Sequence, residues 1–314
     1  MLLAGLVGLA GCDDASPDPD VEDEATVPEE TVTEPDEDDG DDEVAVPDQD
    51  TDQDADQDAD EAGPAEGGAA AAPPEDVEPF ADAEVLAEAL AAAEIALASG
   101  GLDDGDHARW AAVHQQAYRD LAQRPQWRET ARTAVPAELH DAYDLTLHAV
   151  EELTRLTEPR EELPDWRIEP PPPADELRRY YDQAQAEFGV PWSVLAAIHL
   201  VETRFGRIHG DSHAGAQGPM QFMPTTWEAY GQGDVTDPRD AIMAAGRYLA
   251  ASGAPDDLPA AVHAYNRSDY YVKAVLAHAE AMEAHDHYLD IYHGWRVHYR
   301  TVDGDVVLEE GYGS

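Results

Sequence analysis

The sequence predicts a mainly α chain that closes on a β-hairpin, and three observations carry the prediction. Apolar residues recur at three- and four-residue steps after the first quarter of the chain, proline and glycine punctuate those runs, and only the stretch beyond residue 286 alternates with period two. The first run, Val85, Leu86, Ala89, Leu90, Ala93 and Leu97, stops at Gly100-Gly101. A second helix is expected over 105–123. Pro125 and Pro136 then bracket or begin further helices, the last of which carries Leu139, Tyr143, Leu147, Val150 and Leu153 on one stripe. Together these make a small helical domain over 80–160. Pro164 and the run Pro170-Pro171-Pro172-Pro173 lack backbone donors and give a stiff connector over 161–173. Beyond it helices are expected at 174–188, 191–205, 224–230, 238–252, 257–265 and 268–284, the second and third opening on Pro191 and Pro224 at the favoured first-turn position. In the tail, 286–314, Trp295, Val297, Tyr299 and Thr301 alternate with polar residues, Asp303-Gly304 offers a turn, and Val306-Val307-Leu308 returns.

Charge divides the chain differently. The 314 residues carry a formal net charge of -51, yet no Lys or Arg precedes Arg109, and Asp and Glu crowd residues 13–79 among Pro, Ala, Gly, Gln and Thr. Such a segment cannot bury enough apolar surface to offset its ordering entropy, so 13–79 reads as a disordered acidic linker, extended by its own repulsion. Phosphate binding needs clustered cations, and this balance argues against nucleic acid as a partner. Asp50, Asp52 and Asp54 have the spacing of a calcium loop, but position six is Ala55, and no glutamate or flanking helix completes it; a solvated tether is the better reading.

The first twelve residues, Met1-Leu2-Leu3-Ala4-Gly5-Leu6-Val7-Gly8-Leu9-Ala10-Gly11-Cys12, are apolar but too short to span a bilayer. They read as the apolar part of a secretory signal. Leu9-Ala10-Gly11-Cys12 resembles the lipobox of bacterial lipoproteins, which implies cleavage before Cys12, lipid on its thiol, and an extracytoplasmic chain anchored to a membrane. Cys12 is the one cysteine, so internal disulfides are excluded. A cytosolic chain with an apolar start is the alternative, because the cationic leader of a signal is missing.

Chemistry concentrates after the proline run. The stretch from Pro191 to Gly206 reads as an amphipathic helix in which Glu202 projects between the directions of Leu195 and Ile198, at the edge of the apolar face near the helix C-terminus. Desolvation and the negative helix end both disfavour the ionised form, so its pKa should rise, as an acid that protonates a leaving oxygen requires. A snorkelling or salt-bridged glutamate is the bland reading of that residue alone. Next comes Ser212-His213-Ala214-Gly215-Ala216-Gln217-Gly218-Pro219-Met220-Gln221-Phe222-Met223-Pro224, then Ala264-Tyr265-Asn266, then Ser268-Asp269-Tyr270-Tyr271-Val272.

These blocks, in this order and spacing over about 175–285, resemble the lytic transglycosylases of the soluble, lysozyme-like type. The resemblance implies a lysozyme-like, predominantly helical catalytic domain over 174–285. Position by position it implies Glu202 as the catalytic acid and base, Met220 and Gln221 as a pair lining the cleft, Tyr265 and Asn266 beside the scissile sugar, and Ser212 as a substrate contact. It implies peptidoglycan glycan strands as substrate, cleavage of the MurNAc-GlcNAc bond without water to leave 1,6-anhydro-MurNAc ends, no cofactor, and a place in cell-wall turnover beside machinery that is unidentified. Two positions depart from the family pattern: Thr203 stands where Ser is commoner after the glutamate, and Arg267 where many members carry a small residue.

Two rivals stand beside this reading. A muramidase would hydrolyse the same bond with a second carboxylate, for which Asp211, Asp234 and Asp240 are candidates. A peptidoglycan-binding lipoprotein without turnover would keep the cleft alone. The histidines His285, His287, His293 and His298 lack a matched carboxylate or cysteine set and read as solvated surface; no metal site is assigned.

If Cys12 carries the lipid, Cys12→Ser should move the chain from the membrane fraction to the soluble fraction in cell fractionation; unchanged partitioning would remove the anchor.

Overall fold

In the computed structural model, residues 72–314 are described. The signal and lipobox expected at residues 1–12, and nearly all of the acidic linker expected over 13–79, lie outside them. The described residues belong to one compact unit that is mainly helical and ends in the expected β-hairpin.

Helix α1 (Ala83–Ser99) starts where the Asp82 carboxylate accepts a hydrogen bond from Val85 N at 2.9 Å, and α2 (Asp104–Gln123) starts on Asp103 in the same way. Leu86, Leu90, Ala93 and Leu97 of the first apolar run are buried, but Val85 is exposed, since it lies on the flank of the stripe at the first turn. A short α3 (Arg128–Ala134) leads to α4 (His140–Leu156), whose expected stripe of Tyr143, Leu147, Val150 and Leu153 is buried throughout.

The later helices follow the proline and glycine punctuation closely: α5 (Ala174–Phe188), α6 (Trp192–Thr203), α7 (Pro224–Tyr230), α8 (Pro238–Ala251), α9 (Leu258–Tyr265) and α10 (Asp269–Ala284). A further helix, α11 (Tyr288–His293), is too short for periodicity to reveal. Between these run β1 (Arg167–Ile168) and β2 (Ile208–His209), which pair antiparallel, and β3 (Val297–Thr301) and β4 (Gly304–Leu308), which form the hairpin. Thr301 pairs with Gly304, so the loop is Val302-Asp303, one residue earlier than the Asp303-Gly304 dipeptide suggests.

One apolar core contains residues of α1, α2 and α4 together with α5, α6, α8 and α10, and thus continues across the proline-rich stretch. Helix α4 packs along α10, and the pair is antiparallel: Lys273 Nζ lies 3.9 Å from Glu152 near one end and His285 Nε2 lies 3.0 Å from Asp141 at the other. A second, smaller cluster of Trp166, Ile168, Ile208, Val297, Tyr299 and Leu308 joins the two-strand ribbon to the hairpin.

The four C-terminal histidines are not solvated surface. His298, on β3, is buried, His293 Nε2, at the end of α11, bonds the Pro172 carbonyl at 2.9 Å, and His285 and His287, between α10 and α11, are half-buried. Among the described residues no group of three or more His, Cys, Asp and Glu side chains is placed to hold a metal.

A buried carboxylate fastens α1 to α11. Glu94 is fully buried, accepts from Tyr118 at 3.0 Å and Tyr288 at 2.9 Å, and lies 3.3 Å from His114 Nε2. Burial acts to raise its pKa, but the charge of His114 and the hydrogen bonds outweigh that and leave it lowered. Glu94→Ala leaves two buried hydroxyls and an imidazole without their acceptor, and should cost about 3 kcal/mol in denaturant unfolding. A loss below about 0.5 kcal/mol would show that the cluster does not hold the helices together.

Candidate active site

Glu202 sits in the last turn of α6. Sequence periodicity suggests an amphipathic helix with the glutamate at the edge of its apolar face, but every residue of α6 is buried, because α5, α8, α10 and α11 all pack around it. Ser193, His199, Glu202 and Thr203 are therefore polar groups inside the core. The helix stops abruptly: Arg204, Phe205 and Gly206 take φ of 55°, 61° and 86°, and the amides of Arg204 and Phe205 return to the carbonyls of Leu200 and His199.

Glu202 is 5 % exposed. Burial raises its pKa to about 7, against the opposing effect of a hydrogen bond that Tyr271 donates to Oε1 at 2.7 Å. Among the described residues no neighbouring charge contributes to that shift. Because the folded chain holds this proton more tightly than the unfolded chain, Glu202 opposes folding once it ionises. Its neutral form is tolerated in full below the ordinary carboxylate range, and stability is lost as pH rises from there through about 7.

Thr203, the next residue, connects this helix end to the turn that follows. Its Oγ1 donates to Pro219 O at 2.5 Å and accepts from Gly206 N at 3.0 Å. Gln217 and Phe222 exchange backbone hydrogen bonds of 2.9 and 2.8 Å around the intervening Gly218-Pro219-Met220-Gln221. Gly218 has φ of 71°, and a Cβ there would stand 1.9 Å from Val235 O, so this glycine serves a backbone approach within the protein. Gln221, at φ 50°, donates from Nε2 to Gly218 O at 2.9 Å, while its Oε1 is buried without a partner among the described residues.

Helices α9 and α10 close the other side. Tyr265 donates to Met220 O at 2.7 Å, and Asn266 caps α9 with a buried Nδ2 that has no partner among the described residues. Burial and then the Glu202 charge raise the pKa of both Tyr265 and Tyr271, so both hydroxyls lie within the field of this carboxyl. The structure thus gathers Glu202, Met220, Gln221, Tyr265 and Asn266 from three separated stretches of sequence. Residues 179–287, which contain all of them, match the family model described as the transglycosylase SLT domain.

This segment belongs to the transglycosylase SLT domain family. It has the lysozyme-like, predominantly helical fold expected of it. Within the curated proteins, the chain is 33 % identical over 87 residues to a membrane-bound lytic murein transglycosylase F of Thiobacillus denitrificans, a match covering 28 % of this chain and 18 % of that protein. It is 36 % identical over 73 residues to a membrane-bound lytic murein transglycosylase F 2 of Alkalilimnicola ehrlichii, covering 23 % of this chain and 16 % of that one. The chain therefore spans less than a fifth of the length of either relative. No solved structure gives a significant match.

Other residues of the SLT domain singled out by sequence hydrogen-bond within their own loops. Ser212 closes its own loop, its Oγ accepting from Ala216 N at 2.9 Å and its amide donating to Ala216 O at 2.9 Å. Asp211 accepts from Gln217 at 3.4 Å and lines a cavity of about 690 Å³ bordered by Arg167, His209, Gly218 and Pro219, but not by Glu202. Asp234 holds Thr236, and Asp240 accepts from Asp234 N. No hydrogen bond or ion pair among the described residues joins these three carboxylates to Glu202.

Sequence reasoning missed the hydrogen-bonding role of Tyr271, although it named the stretch that contains it. Removing that donor withdraws the one interaction that lowers the Glu202 pKa. Tyr271→Phe should raise it above about 7, measured by carboxyl-carbon NMR titration; an unmoved titration would show that the hydroxyl does not act on Glu202.

Proposed function

We propose that this chain is a peptidoglycan lytic transglycosylase that cleaves the bond between N-acetylmuramic acid and N-acetylglucosamine and leaves 1,6-anhydro-muramic ends. The observation that carries the reading is the buried carboxyl group of Glu202, held about half protonated at neutrality with no second carboxylate among the described residues acting on it. A hydrolase of this bond uses two carboxylates flanking it. The murein activity in the names of the two curated relatives supports the same choice of substrate.

In the first step Glu202 donates its proton to the glycosidic oxygen as the bond to muramic C1 breaks, and the substrate's acetamido oxygen stabilises the cation forming at C1. Glu202, now a carboxylate, takes the proton from the muramic C6 hydroxyl, and that oxygen bonds to C1 to close the anhydro ring. No water is consumed and the acid is restored. Tyr271 orients the carboxyl through Oε1. Gln221 Oε1 and Asn266 Nδ2 are an unpaired acceptor and an unpaired donor, the complement of an acetamido N–H and C=O, and they suit this group's orientation.

The proposal extends to an envelope location, with lipid on Cys12 and the acidic stretch as a tether. Among the described residues no helix is long and apolar enough to cross a membrane. The relatives' names call those proteins membrane-bound, which supports placing this chain at a membrane surface.

Digestion of purified peptidoglycan by the chain and by Glu202→Gln, with the products identified by mass spectrometry, tests the reading. Anhydro ends should come from the parent, with the variant slower by about 1,000-fold. Activity should fall as pH rises through about 7, because the first step needs the protonated acid. Reducing muramic ends would make the chain a muramidase, and binding without release would make it a scaffold.

A further inference from the structure

Among the described residues, Arg267 is the unpaired cation. The chain has 18 Lys and Arg residues, and the others meet a carboxylate, a carbonyl or another partner; even the loosely held Lys273 and Arg296 have carboxylates at 3.9 and 3.8 Å. Arg267 alone has no hydrogen bond or ion pair among the described residues, in a chain whose acids outnumber its bases by 69 to 18. Asp269, two positions away, makes no ion pair with it.

Its position is fixed on both sides by the candidate active site. Ser268 N donates to Asn266 O at 2.8 Å, a tight turn between α9 and α10 with Arg267 as its middle residue. Two residues earlier Tyr265 holds Met220, and four residues later Tyr271 holds Glu202. The exposed Arg267 charge also reaches Tyr248, whose hydroxyl burial makes less acidic and Arg267 makes more so, and whose ring lies 5.7 Å from that of Tyr265. Beside it, the buried amide nitrogen of Asn266 has no partner among the described residues, and Tyr270, 44 % exposed, offers an open ring.

We propose that Arg267 is a specificity-determining residue that receives a carboxylate of the glycan substrate beside the candidate active site. The proposal rests on the transglycosylase reading. A guanidinium presents two parallel N–H donors that match a carboxylate, and a side chain with no internal partner to give up is free to do so. A peptidoglycan strand offers that chemistry from two sources: the lactyl carboxylate of a muramic residue stripped of its peptide, or the free carboxylates of an attached stem.

The test measures kcat/KM for the full chain, Arg267→Ala and Arg267→Lys at low ionic strength. Substrates are stem-bearing strands and amidase-stripped strands, each before and after its carboxylates are capped as amides. Capping should cost the parent chain about tenfold on the substrate whose carboxylate is read, and Arg267→Ala should lose the same factor there. For that variant capping should change nothing, and Arg267→Lys should recover part of the loss. Sensitivity on stripped strands identifies the lactyl group, and sensitivity on stem-bearing strands alone identifies the stem. A ratio of variant to parent that is the same on capped and uncapped strands overturns the proposal, as does a parent indifferent to capping. A parent that releases nothing from any strand overturns the transglycosylase reading itself, and this proposal with it, before the variants are compared.

Discussion

The burial of one carboxyl group governs the arrangement around it. Glu202 lies in the last turn of a helix with no solvent-facing side, and a carboxylate in that position costs folding free energy that only a proton relieves. One neighbour, Tyr271, limits that cost without removing it, and the rest fix the helix end that carries the group. Tyr271 supplies one hydrogen bond, the reversal at Arg204 to Gly206 ends the helix at Thr203, and the Thr203 hydroxyl draws the Pro219 turn against it. A site with a full set of donors would hold an ionised glutamate, and a site with none would make the acid too weak to give up its proton. This one lies between, at about 7.

Most of the helical framework was legible because its signals are local. Pro224, Pro238 and Gly189 mark helix ends by the conformations open to them, and the stripe on α4 is a plain 3.6-residue repeat. Failures occur where tertiary surroundings override local pattern. The periodic reading of α6 allowed an amphipathic helix, and the packing of four other helices made it buried on every side. The C-terminal histidines resemble surface residues in sequence, but they fall at the end of α10, around a six-residue helix below the length at which periodicity is visible, and on β3, where tertiary packing covers them.

At the site, Glu202 and the segments holding Met220, Gln221, Tyr265 and Asn266 were readable from three motif blocks, and the raised pKa followed from the glutamate's place on its helix. The partner of that glutamate was not readable. Tyr271 is 69 positions away, and nothing in its own neighbourhood distinguishes it from the exposed Tyr270 before it. Thr203 reads as a conservative hydroxyl substitution, while its use as a link between helix end and turn depends on a carbonyl 16 residues further on.

The packing of α4 along α10 has a consequence for how this module can be inherited. The family match begins at residue 179, well after α4 ends, yet α10, whose first turn carries Tyr271, shares its core with that earlier helix. A gene fusion cut at the edge of the matched segment would transplant the acid and its hydroxyl donor while leaving behind the wall that holds the donor's helix in place. Recombination would then favour partners that bring their own helix to the same flank, and the sequence of that helix could drift widely so long as its stripe stayed apolar.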